Sequence, residues 1–198
     1  MTGLTSEEFR GVVRLLHRTK DAAYRDAWKK RGEVMSIMAN IARKVDRLEY
    51  TADGAPVAQD ESLLDTAVDL LVYSLKYQTY QTYLADQHAT VAAMLFDGNG
   101  TTPPFSDGPG GFEVALSRLD VTPLDQIEGP DVPQATQCVL AAFADLEACF
   151  PGTPAPIDRR VERVLALTRA ATALLGALRR QLPERYRDFL ATSLKETG

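Results

Sequence analysis

An apolar helical run near the middle of the chain carries an acidic side chain at every fourth position. It reads Glu61-Ser-Leu-Leu-Asp65-Thr-Ala-Val-Asp69-Leu-Leu-Val-Tyr73-Ser-Leu-Lys76. On a helix, Glu61, Asp65 and Asp69 fall on one stripe beside the arc of leucine and valine side chains that faces the core. We call these three residues the acidic stripe. Like charges at this spacing destabilise a helix by roughly 0.2–0.5 kcal/mol per pair. A divalent cation would remove the repulsion, so the acidic stripe predicts a metal site, and the metal suggests a phosphate ligand.

The composition is typical of a globular protein with one domain, or with one domain and an extension. The chain has 198 residues, of which 45% are hydrophobic and 25% are charged, and its formal net charge is -5. A negative chain is a poor general binder of nucleic-acid polymers, because a phosphate backbone attracts concentrated positive charge. No stretch approaches the roughly 20 uninterrupted apolar residues that cross a bilayer. The N-terminus is acidic where a signal peptide would be basic. We therefore expect a cytoplasmic protein without a membrane segment.

Few residues are available for metal clusters or nucleophilic triads of the usual kinds. The chain has two histidines, His17 and His88, and two cysteines, Cys138 and Cys149. Both cysteines fall in one predicted helix, about 16 Å apart, which is too far for a disulfide. We expect them to be buried small apolar side chains. Carboxylates, lysines and arginines must then supply any chemistry.

Helical periodicity and end signals predict an all-α protein, and no segment alternates with the period of a strand. The predicted helices cover residues 5 to about 29, about 33 to 48, 60 through 76 with a continuation to about 95, 134 to 150 and 157 to 182, with a short final helix from Pro183. Residues 98–111 are rich in Gly and Pro and predict a loop or linker. Residues 111–133 have no clear periodicity. The expected organisation is a helical bundle over residues 1–97 and a helical extension over 112–198 that packs on the core or on a partner.

The second predicted helix carries a polar stripe that complements the acidic stripe. Glu33, Asn40, Lys44 and Arg47 fall within about 60° of one another around its axis. If this helix packs against the helix of the acidic stripe, Glu33 joins Asp65 and Asp69 around Mg²⁺, while Lys44 and Arg47 neutralise phosphate oxygens. Asn40 lies on the same stripe and is a candidate for binding the substrate. Magnesium prefers a few carboxylates together with water and substrate phosphates, which is the set of ligands expected here.

Three segments together resemble the nucleotide modification associated domain 1 family. They are Ala-Tyr24-Arg-Asp26-Ala-Trp28, then Ser36-Ile37-Met-Ala-Asn40-Ile41-Ala-Arg-Lys44-Val-Asp-Arg47, and then Glu61 with Leu-Asp65-Thr-Ala-Val-Asp69-Leu-Leu-Val-Tyr73. The resemblance covers roughly residues 18 to 85. That family looks like a relative of the all-α nucleoside triphosphate pyrophosphatases of the MazG and dimeric dUTPase type.

The resemblance implies a magnesium-assisted nucleotide site in which water attacks a phosphoryl group and pyrophosphate or phosphate is released. It also implies a homo-oligomer, because such sites often form between subunits. Tyr24 and Trp28 are then candidates for stacking on the nucleobase. One departure concerns the metal ligands: the pyrophosphatases pair a Glu-x-x-Glu helix with a Glu-x-x-Asp helix, whereas Ser36 follows Glu33 here. The pattern therefore supports nucleotide binding more directly than hydrolysis.

Each of these residues also has a structural explanation. The acidic stripe could form salt bridges with the cations of the neighbouring helix, and Trp28 could be a core anchor. Tyr73, Tyr77, Tyr80 and Tyr83 recur at helical spacing, which usually indicates packing. The alternative function is a non-catalytic helical module for protein interaction or oligomerisation, with the interface in residues 112–198.

Overall fold

The protein is all-α, which confirms the predicted fold class. The structure, a computed structural model, describes residues 6–52, 63–84 and 108–195, and none of these lies in a β-strand. The helices of the described residues are α1 (Ser6–Tyr24), α2 (Ala39–Ala52), α3 (Leu63–Leu84), α4 (Pro109–Ser117), α5 (Thr122–Asp125), α6 (Val132–Glu147), α7 (Ile157–Gln181) and α8 (Pro183–Lys195). In these ranges, no helix has the length and apolar character needed to cross a membrane.

Helix α3 lies at the centre of the bundle and packs against α2, α4 and α7. Between Leu64 and Leu75 its leucines and valines are almost fully buried, and so are most of the polar side chains of the helix. A helix without a solvent-facing side must satisfy its polar groups internally. Ser74 and Thr79 do so by donating to backbone carbonyls one turn earlier, and Gln78 donates to Thr168 of α7 at 2.6 Å. The helix that bears the acidic stripe is therefore surrounded by neighbours that determine the surroundings of each carboxylate.

The segment predicted as a helical extension packs on the predicted core. Helix α7 lies against α3, α5 and α6, and one apolar cluster continues from Phe9 in α1 to Leu190 in α8. The crossing of α5 and α7 is especially close: a Cβ atom added at Gly176 would lie 2.2 Å from the carbonyl oxygen of Pro123. Glycine at this position lets the two backbones approach each other.

The first two helices differ in detail from their predictions. Helix α1 ends at Tyr24 rather than near residue 29, because Arg25 adopts a left-handed conformation with φ of 45° and begins a 3₁₀ turn, Arg25–Trp28. Gly32 also has a positive φ, 80°, which a glycine adopts without strain. It precedes a π-helical segment, Glu33–Met38, that continues into α2. The predicted second helix therefore begins with wider turns, and its first side chains face different directions from those of an ideal α-helix.

Residues 108–133, which the sequence left mostly unassigned, contain α4 and α5. Pro109 begins α4, so the last residues of the predicted 98–111 loop are helical; residues 98–107 lie outside the described part. Helix α6 begins with Asp131 as its N-cap, whose carboxylate accepts from the backbone N–H of Gln134 at 2.8 Å. The predicted start of the third helix at Asp60 also lies outside the described residues.

The two cysteines are not disulfide-bonded to each other, and one of the two burial predictions was wrong. Cys149 is buried, as expected, whereas Cys138 is exposed. Cys138 lies on α6, whose buried face contains Ala135, Val139 and Phe143. Residues three apart are neighbours around a helix, whereas adjacent residues face different directions. Cys138 is therefore next to Ala135 but turned away from Val139, which places it at the edge of the buried face. Cys149 follows the end of the helix, where its thiol donates weakly to the carbonyl of Asp145 at 3.7 Å.

A basic groove as the candidate functional site

A groove of about 790 Å³ lies between the segments that connect α1 to α2, the exposed side of α2 and the first half of α3. Among the described residues that line it, six have cationic side chains and one, Asp69, is a carboxylate. The cations are Lys20, Lys30, Arg31, Arg43, Lys44 and Arg47. We call this surface the basic groove. It concentrates positive charge locally on a chain whose net charge is -5.

Local structure explains how the cations gather. Arg43, Lys44 and Arg47 lie on α2 at spacings of one, three and four residues, so they share one side of that helix. Lys20 lies in the last turns of α1, and Lys30 with Arg31 follows the 3₁₀ turn. The folding of this connection back onto α2 places cations from separate segments at one groove.

Asp69 is the electrostatic centre of the groove. It is 9% exposed, and its Oδ2 lies 2.8 Å from Nζ of Lys44. Its Oδ1 accepts a hydrogen bond from Nζ of Lys20. A carboxylate at this depth requires such partners, because burial of an unpaired charge costs several kcal/mol. The two lysines come from α1 and α2, so this ion-pair network joins three helices.

The π-helical segment forms one wall of the groove through specific hydrogen bonds. Asn40 donates from Nδ2 to the backbone carbonyl of Ser36 at 2.8 Å, and its Oδ1 accepts from Arg43. The hydroxyl oxygen of Ser36 accepts from the backbone N–H of Arg31 at 2.9 Å. π-Helical turns frequently occur at functional sites. Here Ser36 is the common partner: its hydroxyl binds the backbone of Arg31, and its carbonyl binds Asn40, which in turn accepts from Arg43.

Trp28 lines the groove, but most of its surface is taken by the protein. It is 5% exposed, and its ring meets the edge of Tyr80 with 6.1 Å between centroids. Nζ of Lys76 lies 4.9 Å from the centroid of the Trp28 ring. Burial lowers the pKa of Lys76, while its contact with Asp21 at 3.3 Å opposes that shift. These contacts fit the core-anchor explanation of Trp28. Tyr24 ends α1, and its side chain lies outside the described part of the structure.

Glu33 does not face the basic groove. Its carboxylate accepts hydrogen bonds from the hydroxyl of Tyr77 on α3 and from the guanidinium of Arg160 on α7. Burial, with the neighbouring Glu33 charge, raises the pKa of the Tyr77 hydroxyl well above its ordinary value. Glu33 therefore anchors the start of the π-helical segment to the bundle rather than joining Asp69.

Asp65 lies in a different cavity from Asp69. This second cavity has a volume of about 450 Å³ and lies between the start of α3, the end of α7 and α8. Its lining is largely apolar, with Asp65, Arg185 and Asp188 as its charged residues. Glu61, the remaining member of the acidic stripe, lies outside the described residues.

Among the described residues, Glu33, Asp65 and Asp69, which were predicted to share a magnesium ion, thus lie in three different surroundings. Over residues 6–52, 63–84 and 108–195, no group of three or more His, Cys, Asp or Glu side chains is placed to hold a metal. Asp69 remains in a setting compatible with Mg²⁺ carried by a phosphate ligand, since Mg²⁺ commonly takes one or two protein carboxylates and fills its other positions with water and phosphate oxygens.

Four residues predicted for the site meet Asp69 at the groove: Trp28, Asn40, Lys44 and Arg47. Sequence reasoning did not assign Lys20, Lys30 or Arg31 to it. The run Lys29-Lys30-Arg31 was a visible signal of local positive charge. Lys20 gave no such signal, because its partner Asp69 is 49 residues away in the chain.

Comparisons of the chain with family models, with curated proteins and with solved structures found no significant match. The resemblance to the nucleotide modification associated domain 1 family therefore rests on the segments quoted above.

Proposed function

We propose that the basic groove binds the phosphate groups of a nucleotide. The observation that supports this proposal is the collection of six cations around one carboxylate in a groove of about 790 Å³. Ligand sites for small molecules commonly have volumes of about 300–1,000 Å³. The groove therefore has both the charge and the size for a nucleotide with more than one phosphate.

The two arginines of α2 suit phosphate recognition. A guanidinium presents a planar fork of donors that can bind two oxygens of one phosphate, whereas an ammonium acts as a compact charge. Arg43 and Arg47 line the same groove as Lys44, so forked and compact donors are available side by side. This combination favours a flexible polyphosphate over a single small anion.

The chemistry proposed for this site is hydrolysis of the nucleotide at a phosphoryl group. Bound Mg²⁺ would supply polarisation of the phosphate and activation of the attacking water. Asp69 is the groove residue that would hold it. Lys44 and Arg47 stabilise negative charge that develops on the phosphate oxygens. Hydrolysis and a homo-oligomeric assembly are both expectations from the family resemblance.

A thermal-shift experiment tests the binding proposal. Unfolding is followed with nucleoside mono-, di- and triphosphates, with and without Mg²⁺, in the wild type and in Lys44→Met/Arg47→Met. A ligand at a hundredfold excess over Kd raises the free energy of unfolding by about 2.7 kcal/mol, which shifts the thermal midpoint measurably.

The matched control is Arg163→Met/Arg187→Met, which removes two positive charges from α7 and α8. We expect the wild type and the control to be stabilised by the same nucleotide, and the groove variant not to be. If no nucleotide stabilises the wild type, the proposal is wrong, and the protein-interaction alternative becomes the better explanation of the chain.

A further inference from the structure

The two oxygens of Asp69 are bound by two lysines that come from different helices. Lys20 of α1 donates to Oδ1, and Lys44 of α2 lies 2.8 Å from Oδ2. Both lysines line the basic groove, as does Asp69 itself. The carboxylate therefore occupies two of the cations that a phosphate ligand would use.

A carboxylate oxygen and a phosphate oxygen are similar partners for an ammonium group. Both are anionic acceptors that form short, charge-assisted hydrogen bonds. A lysine side chain is a flexible four-carbon stem that can turn its ammonium toward either acceptor. The Lys20 side chain is 35% exposed, which leaves it room to move toward the groove.

We propose that Asp69 is an internal anion that competes with the ligand's phosphate groups for Lys20 and Lys44. This inference rests on the proposed phosphate-binding function and adds a regulatory role for Asp69. The carboxylate neutralises the two lysines in the ligand-free groove and weakens the binding of polyphosphate in the absence of a divalent cation. A divalent cation bound with the ligand would offset the charge of Asp69, and Lys20 and Lys44 would then be able to donate to the phosphate oxygens.

Competition, rather than preorganisation, is the expected net effect of Asp69. Holding two lysines in place lowers the entropy that they lose on binding, which favours the ligand. The negative charge of Asp69, however, lies among the groups that contact the phosphates, where it repels the ligand directly and cancels part of the attraction from both lysines. Each ammonium has three donors but only one positive charge, so it can still donate to a phosphate while Asp69 cancels its charge. We therefore expect the repulsion and charge cancellation by Asp69 to outweigh the benefit of holding the lysines in place.

Calorimetric titration with inorganic tripolyphosphate tests this inference without a nucleobase or turnover. The proteins are the wild type, Asp69→Asn and Asp65→Asn, each measured with a chelator and again with Mg²⁺. Asp65→Asn is the matched control, because it makes the same change of charge one turn earlier on α3, in the second cavity.

With the chelator, we expect Asp69→Asn to bind roughly tenfold more tightly than the wild type, a change equivalent to about 1.4 kcal/mol. Asp65→Asn should stay within about twofold of the wild type. Mg²⁺ should strengthen binding more in the wild type than in Asp69→Asn.

Equal or weaker binding by Asp69→Asn, with clear binding by the wild type, would overturn the competition while leaving the proposed function intact. An equal gain in Asp65→Asn would also overturn it, because the effect would then be one of net charge. Absence of binding by every protein, including the wild type with Mg²⁺, would refute both proposals.

A second pair of variants covers the case in which Asp69→Asn fails to fold. Lys20→Met/Asp69→Asn removes the carboxylate together with one of its two lysines, so the net charge of the groove is unchanged and Asp69 is not left buried without Lys20. It is compared with Lys20→Met alone. We expect the double variant to bind tripolyphosphate more tightly than the single variant when the chelator is present, and the reverse order would overturn the proposal.

Discussion

The basic groove and the second cavity each contain one carboxylate of the acidic stripe, yet the residues around the two carboxylates differ. Asp69 lies in the groove among six cations, and two lysines bind it. Asp65 lies one turn earlier, in a cavity with a largely apolar lining. Four residues along a helix advance about 6 Å and rotate 40° beyond a full turn. In a tightly packed bundle, this displacement is enough to place two carboxylates against different neighbours.

The comparison shows how a row of like charges is accommodated without a shared ion. The sequence presents Asp65 and Asp69 as a pair that requires a cation between them. In the structure, lysines from two other helices neutralise Asp69, and Asp65 lies elsewhere. Regular spacing identifies residues on one side of a helix, but it does not establish that they act together.

The strongest test of the difference is to remove both lysines that neutralise Asp69. Lys20→Met/Lys44→Met should lower the affinity for nucleoside triphosphate by about a hundredfold, because each charge-assisted hydrogen bond contributes roughly 1.5 kcal/mol. It should also lower the free energy of unfolding by about 2–3 kcal/mol, since Asp69 then lacks both partners. Calorimetry and urea denaturation measure the two effects.

The control for that variant is Arg185→Met/Arg187→Met, which removes two charges from α8, one of them in the second cavity. It should leave the affinity unchanged. Adding Asp69→Asn to the lysine variant should restore most of the lost stability. If the triple variant remains as unstable as the double, the two lysines stabilise the protein by packing rather than by pairing with Asp69.

A somewhat smaller effect is expected at Glu33, the third carboxylate predicted for the metal. Arg160→Met leaves Glu33, whose side chain is 15% exposed, with only the Tyr77 hydroxyl as its described partner, which should lower the free energy of unfolding by about 2 kcal/mol. The variant Arg160→Met/Glu33→Gln should recover part of that loss, because the unpaired charge is gone. Urea denaturation of the two variants and the wild type tests this expectation. Equal stability in all three would show that Glu33 does not anchor the π-helical segment.

The pH dependence of stability can be separated from the pH dependence of ligand binding through His17. This side chain is buried outside both cavities and stacks on Phe112 with 3.7 Å between ring centroids. Burial, with a smaller effect from Lys76, lowers the pKa of His17 to about 4. Asp21 and Glu113 act in the opposite direction, and Arg18 acts with Lys76.

Because the pKa of His17 is lower in the folded protein than in the unfolded chain, the unfolded chain binds a proton first as the pH falls. The contribution of neutral His17 to the free energy of unfolding is present above about pH 6.5 and is lost as the pH falls toward 4. Between pH 7 and pH 5 the loss should be about 2 kcal/mol. His17→Phe retains a planar ring and does not titrate, so its stability should fall by about that much less over the same interval. Urea denaturation of both proteins at pH 7 and pH 5 measures the difference. An equal loss of stability in the wild type and in His17→Phe would contradict the expectation.

The smallest expected effects come from two glycines, one just before the π-helical segment and one, as a control, within α1. Gly32→Ala places a side chain at φ of 80°, before the π-helical segment, and should destabilise the protein by about 1 kcal/mol. Gly11→Ala lies within α1 and meets nothing within 4 Å, so it should stabilise the protein by up to about 1 kcal/mol. Thermal denaturation should show opposite signs for the same chemical change. Stabilisation by both substitutions would show that the conformation of Gly32 is not required.

Much of the helical framework could be predicted because its signals are local. The start of α7 after Pro156 and its end before Pro183 lie within one residue of the prediction. Apolar residues at helical spacing fix such an element with information from its own turns. Helices α4 and α5 escaped prediction because they are short, and their stability comes from packing against α3 and α7 rather than from a strong pattern of their own.

The acidic stripe and the polar stripe of α2 identified Asp69, Lys44, Arg47 and Asn40 at the groove, but not the arrangement around them. The contact between Lys20 and Asp69 joins residues 49 positions apart, and that between Arg160 and Glu33 joins residues 127 apart. No periodicity links such pairs. The predicted sharing of magnesium by Glu33, Asp65 and Asp69 did not take these partners into account. The magnesium ion itself stays a prediction.

The sequence by itself determined that this protein is helical, which residues share a side of each helix, and that carboxylates and cations border its core. These properties follow from interactions within one or two turns. Only the tertiary structure decided which charge meets which, placing two lysines on Asp69, an arginine and a tyrosine on Glu33, and Asp65 in another cavity. The physical reason is that a buried carboxylate takes its partners from whichever helices pack against it, and that packing is a property of the whole core.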